Sequence, residues 1–235
     1  MFVNKDGLME EIRDRFEHVD TCPIEGKRVF FENAGGALTL KSVVKRSSEL
    51  AGIPDNQGRD NPASHELVRL INQAKEDIRA FLGAAKGPVF VGESGTELLF
   101  RLISTAIVEA PEGGNVVGST LEHPASVSAC ARWAKVARRE FIRVPHNDET
   151  GTVSAEDYRP YVNADTRVAT ILHTSPVTGM AVDVKAIAAL IREVSPECYI
   201  IVDGIQHAAH GGLDIDSYQI DGYAISPYKV FSRHG

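Results

Sequence analysis

The sequence predicts an α/β fold of three layers, with helices on both faces of a mostly parallel sheet. Three observations carry this expectation. Short apolar runs recur without polar alternation, stretches of helical spacing separate them, and several runs end in polar, glycine-bearing segments. A strand covered above and below by helices reads as a continuous apolar run, whereas a strand with one wet face alternates.

The elements follow in chain order. Residues 5–18 place Leu8, Ile12 and Phe16 at helical spacing, and the chain up to about residue 60 is rich in Gly, Asn and Asp turn signals. Residues 1–60 therefore read as an N-terminal arm. Pro62 after Asn61 marks a helix start, because a missing N–H costs nothing in a first turn; Leu67, Leu70, Ile71 and Ile78 carry that helix to about Phe81. It opens a main domain over 61–235. Within it the runs PVFVG (88–92), NVVGST (115–120), EFIRVP (140–145), RVATILHTS (167–175), CYIIVDG (198–204) and DGYAIS (221–226) are predicted strands. Helices are predicted near 95–109, 124–138, 154–162 and 183–194.

Composition narrows the function classes. A chain of 235 residues that is 43% hydrophobic can bury a full core. Its net charge of -7 leaves no broad basic surface for nucleic acid, although a local positive pocket for a phosphorylated cofactor remains compatible with it. Cys22, Cys130 and Cys198 are far apart and form no CxxC pair, which argues against a disulfide framework or structural zinc and for a reducing, cytoplasmic setting. No apolar run approaches bilayer length, so no membrane partner is expected.

In parallel sheets ligands bind beyond the carboxyl ends of the strands, so the residues there are the candidates. VFVG leads into Glu93, Ser94, Gly95, Thr96 and Glu97 before a helix, which offers backbone N–H groups and a hydroxyl to a phosphate, or simply a helix cap. Neither GxGxxG nor GxxxxGK[ST] is present, so dinucleotide and P-loop sites lose their usual support. After NVVGST, His123 could lie flat on a heteroaromatic ring or serve only the loop. Asp203 ends the apolar CYIIVDG run, where an unpaired carboxylate would be costly; a protonated pyridine nitrogen would pair it, and so would a metal shared with His207 and His210. Lys229 follows DGYAIS beside Ser226 and Tyr228, where desolvation and a nearby phosphate would tune an amine for imine formation.

The ordered set FFENAGGA, ESGTE, LEHPAS, HTSPVTG, VDGIQ and SPYK, spread over residues 30–229, resembles the class V aminotransferases, the pyridoxal 5'-phosphate (PLP) enzymes of fold-type I that include cysteine desulfurases and selenocysteine lyases. The resemblance implies the PLP-dependent transferase-like large domain, with Gly95 and Thr96 on the phosphate and His123 on the pyridine ring. It further implies Asp203 on the ring nitrogen, Gln206 near the phenolic oxygen, Ser226 and Tyr228 as further phosphate contacts, and Lys229 as the imine-forming, proton-moving lysine. The implied substrate is an amino acid and the implied assembly a homodimer. C–S or C–Se cleavage is expected ahead of amino transfer, with a non-catalytic module and a metal-dependent hydrolase as competing readings. Two departures stand out: Ser175 is followed by Pro176 where desulfurases usually have Ser-Asn, and Tyr228 rather than His precedes the lysine. The family normally continues well past its lysine, so the C-terminal domain, with its substrate-binding arginine, is expected to be missing here.

Overall fold

Burial of the apolar runs and their mutual pairing set the architecture. The computed structural model describes residues 7–54 and 57–232. The chain divides into two compact units, residues 1–76 with 227–235, and residues 77–226. The first holds α1 (Leu8–Asp14), a short hairpin of β1 (Thr21–Cys22) and β2 (Gly26–Lys27), α2 (Lys41–Ala51) and most of α3 (Pro62–Leu82), which runs on across the boundary.

Helix α2 falls where turn signals predict only an arm. Its start is hard to read because Leu40 makes no side-chain capping bond and no acidic residue occupies the first turn. Three serines and three basic residues, with Val43, Val44 and Leu50 as its larger apolar residues, also dilute its pattern.

The second unit contains α4 (Gly95–Glu109), β3 (Asn115–Ser119), α5 (Pro124–Val136), β4 (Glu140–Val144), α6 (Ala155–Tyr158), β5 (Thr166–Leu172), α7 (Val184–Val194), β6 (Tyr199–Asp203) and β7 (Gly222–Ala224). The last five strands form one sheet in the order β4-β3-β5-β6-β7, and every neighbouring pair is parallel. Successive side chains on a strand point to opposite faces. Val116, Val168 and Ile201 accordingly pack with Leu99 and Ile103 of α4 and Ala129 of α5. Their neighbours Val117, Ala169 and Ile200 pack with Ile187 and Ile191 of α7 and Tyr158 of α6. Two cores on opposite faces of one sheet make the predicted α/β/α sandwich.

One predicted strand is not formed. PVFVG has no strand pairing, and Phe90 and Val91 are 72% and 86% exposed. Apolar composition alone cannot make a strand when nothing lies alongside to take its backbone hydrogen bonds.

The strand order creates the crevice. From β3 the chain passes to β4 on one side, then returns to place β5 on the other side of β3 and continues outward to β6 and β7. The order reverses between β3 and β5, and the carboxyl ends of these strands flank the gap where ligands of open parallel sheets bind.

Candidate active site

Glycine at the start of α4 allows three segments to meet. Ser94 caps the helix, its Oγ accepting from Glu97 N at 3.1 Å. Gly95 is buried, and a Cβ there would sit 2.4 Å from Ile205 Cδ1 and 2.5 Å from Ser226 Oγ. The missing side chain lets the helix N-terminus close against the loops after β6 and β7; a Cβ there would force the Ile205 and Ser226 side chains to move. Gly95, Ser226 and the loop carrying Gln206 therefore converge, with Thr96 following in the first turn. Glu97 folds back to accept from Glu93 N at 2.9 Å and pairs with Arg101, so that amide is already satisfied. An anion at this end meets the Gly95 and Thr96 amides, which the helix itself leaves without acceptors.

His123 is the N-cap of α5, with its half-buried ring held by Nδ1, which accepts from Ala125 N at 3.1 Å. A neutral ring in this arrangement carries its proton on Nε2. Asp203, the last residue of β6, is 3% exposed, and its Oδ1 accepts from Ile205 N at 3.1 Å. Gln206 is also buried.

The other two residues of the metal reading are engaged differently. The His207 ring stacks on His173, with centroids 3.4 Å apart and planes 12° from parallel, and its Nδ1 lies 2.8 Å from Thr174 Oγ1. His173 Nδ1 in turn lies 2.8 Å from Tyr223 Oη. Burial, and then the neighbouring His207, hold the His173 pKa down at about 4. His210 is exposed, and among the described residues no group of three or more His, Cys, Asp or Glu side chains is placed to hold a metal ion. The His173–His207–Tyr223 cluster is absent from the sequence expectations; the one available signal is a histidine at the carboxyl end of the RVATILHTS run.

Ser175 gains a structural role from the departure beside it. Its Oγ accepts from both Val177 N and Thr178 N at 3.2 Å, closing the turn after β5. The hydroxyl thus serves its own loop, in the segment where a desulfurase-like asparagine is replaced by Pro176.

Tyr228 and Lys229 belong to the other unit, in the 3-10 turn Pro227–Lys229 that follows Ser226 directly in the chain. Tyr228 O accepts from Ala37 N at 3.0 Å, which ties the NAGGA segment to the lysine turn. Lys229 is half-buried, with Nζ 5.9 Å from the centre of the Tyr228 ring. The same unit holds an open cavity of about 730 Å³ lined by Gly36, Ala37, Arg28, Phe30 and Thr39.

A glycine-paved helix N-terminus, a buried carboxylate at a strand end and an oriented imidazole suit a flat, phosphate-bearing heteroaromatic cofactor with a protonated ring nitrogen. Together with the parallel sheet packed on both faces they define the class as a three-layer α/β domain with its candidate site at the carboxyl ends of the strands. The chain belongs to the aminotransferase class-V family, whose sequence profile matches residues 29–235. It is 27% identical over 236 residues to the cysteine desulfurase-like protein ustD of Aspergillus flavus, covering 96% of this chain and 51% of that protein. It is 25% identical to a probable cysteine desulfurase of Mycoplasma pneumoniae, covering 88% of this chain and 51% of that one. The fold matches the cysteine desulfurase CsdA from Escherichia coli with a TM-score of 0.81 at 20% identity, over 96% of this chain and 56% of that one. It also matches the apo cysteine desulfurase from Thermococcus onnurineus NA1 with a TM-score of 0.82 at 18% identity, over 98% and 54%. The chain thus spans about half the length of these relatives. Among the described residues no helix is long and apolar enough to cross a membrane.

Proposed function

We propose that this chain is the cofactor-binding part of a PLP enzyme that acts on an amino acid, as a cysteine desulfurase- or selenocysteine lyase-like C–S or C–Se lyase. The observation that carries this reading is the convergence of Gly95, Ser226 and the Asp203–Gln206 loop at the carboxyl ends of a parallel sheet. The desulfurase names of several relatives favour the lyase over amino transfer.

The chemistry supplied by bound PLP is that of an electron sink conjugated to the substrate's alpha carbon. The chain's own residues do the rest. The Gly95 and Thr96 amides bind the phosphate, with Ser226 and Tyr228 as further donors. Asp203 would pair its negative charge with the ring nitrogen and keep that nitrogen protonated. Gln206 would hold the phenolic oxygen, and His123 would offer the flat face of its imidazole to the ring. Lys229 would supply the amine that anchors the cofactor and would carry the substrate's alpha proton. In this reading residues 1–60 are an N-terminal arm and residues 61–235 the PLP-binding large domain, and the whole protein is a cytoplasmic homodimer.

The reaction class is tested on the whole protein with cysteine or selenocysteine and a thiol reductant. A lyase releases alanine together with sulfide or selenide over many turnovers. An aminotransferase releases one equivalent of keto acid per site and then waits for a second keto acid, and that result would replace the lyase assignment.

His123 gives a sharper local test. His123→Phe and His123→Ala both lose the Nδ1 cap on Ala125 N, so that cost cancels between them. Only the alanine variant loses an aromatic face, and its PLP dissociation constant should rise roughly tenfold above that of the phenylalanine variant. Equal affinities in a spectrophotometric titration would remove the stacking role.

A further inference from the structure

The crevice contains a second carboxyl group, Glu122, which immediately precedes His123. It is 6% exposed, and its Oε1 accepts from Ser119 Oγ at 3.1 Å and from Leu172 N at 2.8 Å. Ser119 ends β3 and Leu172 ends β5, so one oxygen fastens together the two strands between which the sheet order reverses. The other oxygen, Oε2, is buried with no hydrogen-bond partner among the described residues. The titratable groups facing Glu122 are Asp203 from β6, Cys130 from α5 and Tyr158 from α6, all neutral or acidic. A carboxylate with one bare buried oxygen and an anion for a neighbour is poorly placed, because its two hydrogen bonds offset only part of the desolvation and, among the described residues, no cation faces it.

We propose that Glu122 is a positioning residue that works as an uncharged carboxylic acid, clamping the carboxyl ends of β3 and β5 so that His123 is presented to the crevice and the negative charge there stays with Asp203. The clamp is a property of the cofactor-free fold; only its consequence for His123 rests on the PLP reading. Burial, and then the charge of Asp203, raise the Glu122 pKa from 4.5 to about 7.

The sign of the effect follows from linkage. A group whose folded pKa is raised contributes stability that is fully present below its unfolded value of 4.5 and lost as pH rises through about 7. His173 acts in the same window with the opposite slope. Its pKa is lowered from 6.5 to about 4, so its contribution is present above 6.5 and lost as pH falls. The wild-type profile is thereby flattened, and a variant that changes Glu122 alone separates the two.

Glu122→Gln keeps an oxygen acceptor for Ser119 and Leu172 but cannot ionise. In cofactor-free protein its melting temperature should match wild type near pH 5 and exceed it by roughly 5 °C at pH 8. Infrared spectroscopy should show a protonated-carboxyl band in the wild type near pH 6 that is missing from the variant. With PLP added, Glu122→Gln should bind as wild type does, whereas Glu122→Ala should bind at least tenfold more weakly. A melting difference that does not change with pH, no infrared difference, or equal loss of PLP affinity in both variants would overturn the clamp. Failure of PLP to bind the wild type would instead remove the cofactor reading, while the melting and infrared results still decide the state of Glu122.

Discussion

Lys229→Ala is expected to abolish covalent attachment of PLP. Wild-type chain mixed with the cofactor, reduced with borohydride and digested should carry its label on the peptide containing Lys229, and the variant should carry none. In the active protein, turnover should fall by roughly 10³-fold or more, because the proposed function gives the same side chain both the anchoring and the proton-carrying role. Local structure supports the choice of this lysine. The residue is half-buried with its Nζ over the Tyr228 ring, and the turn that bears it is fixed by the Ala37–Tyr228 backbone bond. A reduced label on any other lysine would reject the assignment.

Local signals and tertiary context divide the fold between what the sequence discloses and what it hides. Helix α4 begins at Gly95, as predicted, because Ser94 caps it through Glu97 N, a local device written in adjacent residues. The inner strands β3, β5 and β6 are legible because nearly every residue is buried and polar alternation is lost, whereas the edge strand β4 keeps exposed Glu140 and Arg143. PVFVG shows the limit of that signal, since its apolar residues lie exposed without a neighbouring strand. Helix α2 is hidden by polar content and a capless start.

The same division holds for the crevice. Candidates such as Asp203 and His123 are visible because they end or follow apolar runs. Glu122 sits in the LEHPAS segment, yet nothing local shows that its carboxyl reaches Leu172, fifty residues on, across the reversal in strand order. The His173–His207 stack likewise joins the ends of two strands whose adjacency is a property of the sheet. Pairings between strand ends are set by topology, and topology emerges only when the whole sheet is assembled.

Asp203→Asn should lower turnover of the active protein by roughly 10²- to 10³-fold, the cost typical of removing one preorganised charge-stabilising group from a site. The change keeps the shape and leaves an amide oxygen able to accept from Ile205 N, the bond Asp203 Oδ1 makes at 3.1 Å, so the loop after β6 should hold its course. What disappears is the negative charge, held 3% exposed where water cannot substitute for it. Without it the pyridine nitrogen loses its reason to stay protonated, and the ring withdraws electrons less strongly. PLP affinity should change far less than turnover, because the proposed phosphate contacts of the Gly95 and Thr96 amides are left untouched. The substitution also removes the anion that helps raise the Glu122 pKa, so the pH at which Glu122 ionises should move down in the variant. Turnover that survives nearly intact, with cofactor bound, would show that Asp203 does not face the ring nitrogen.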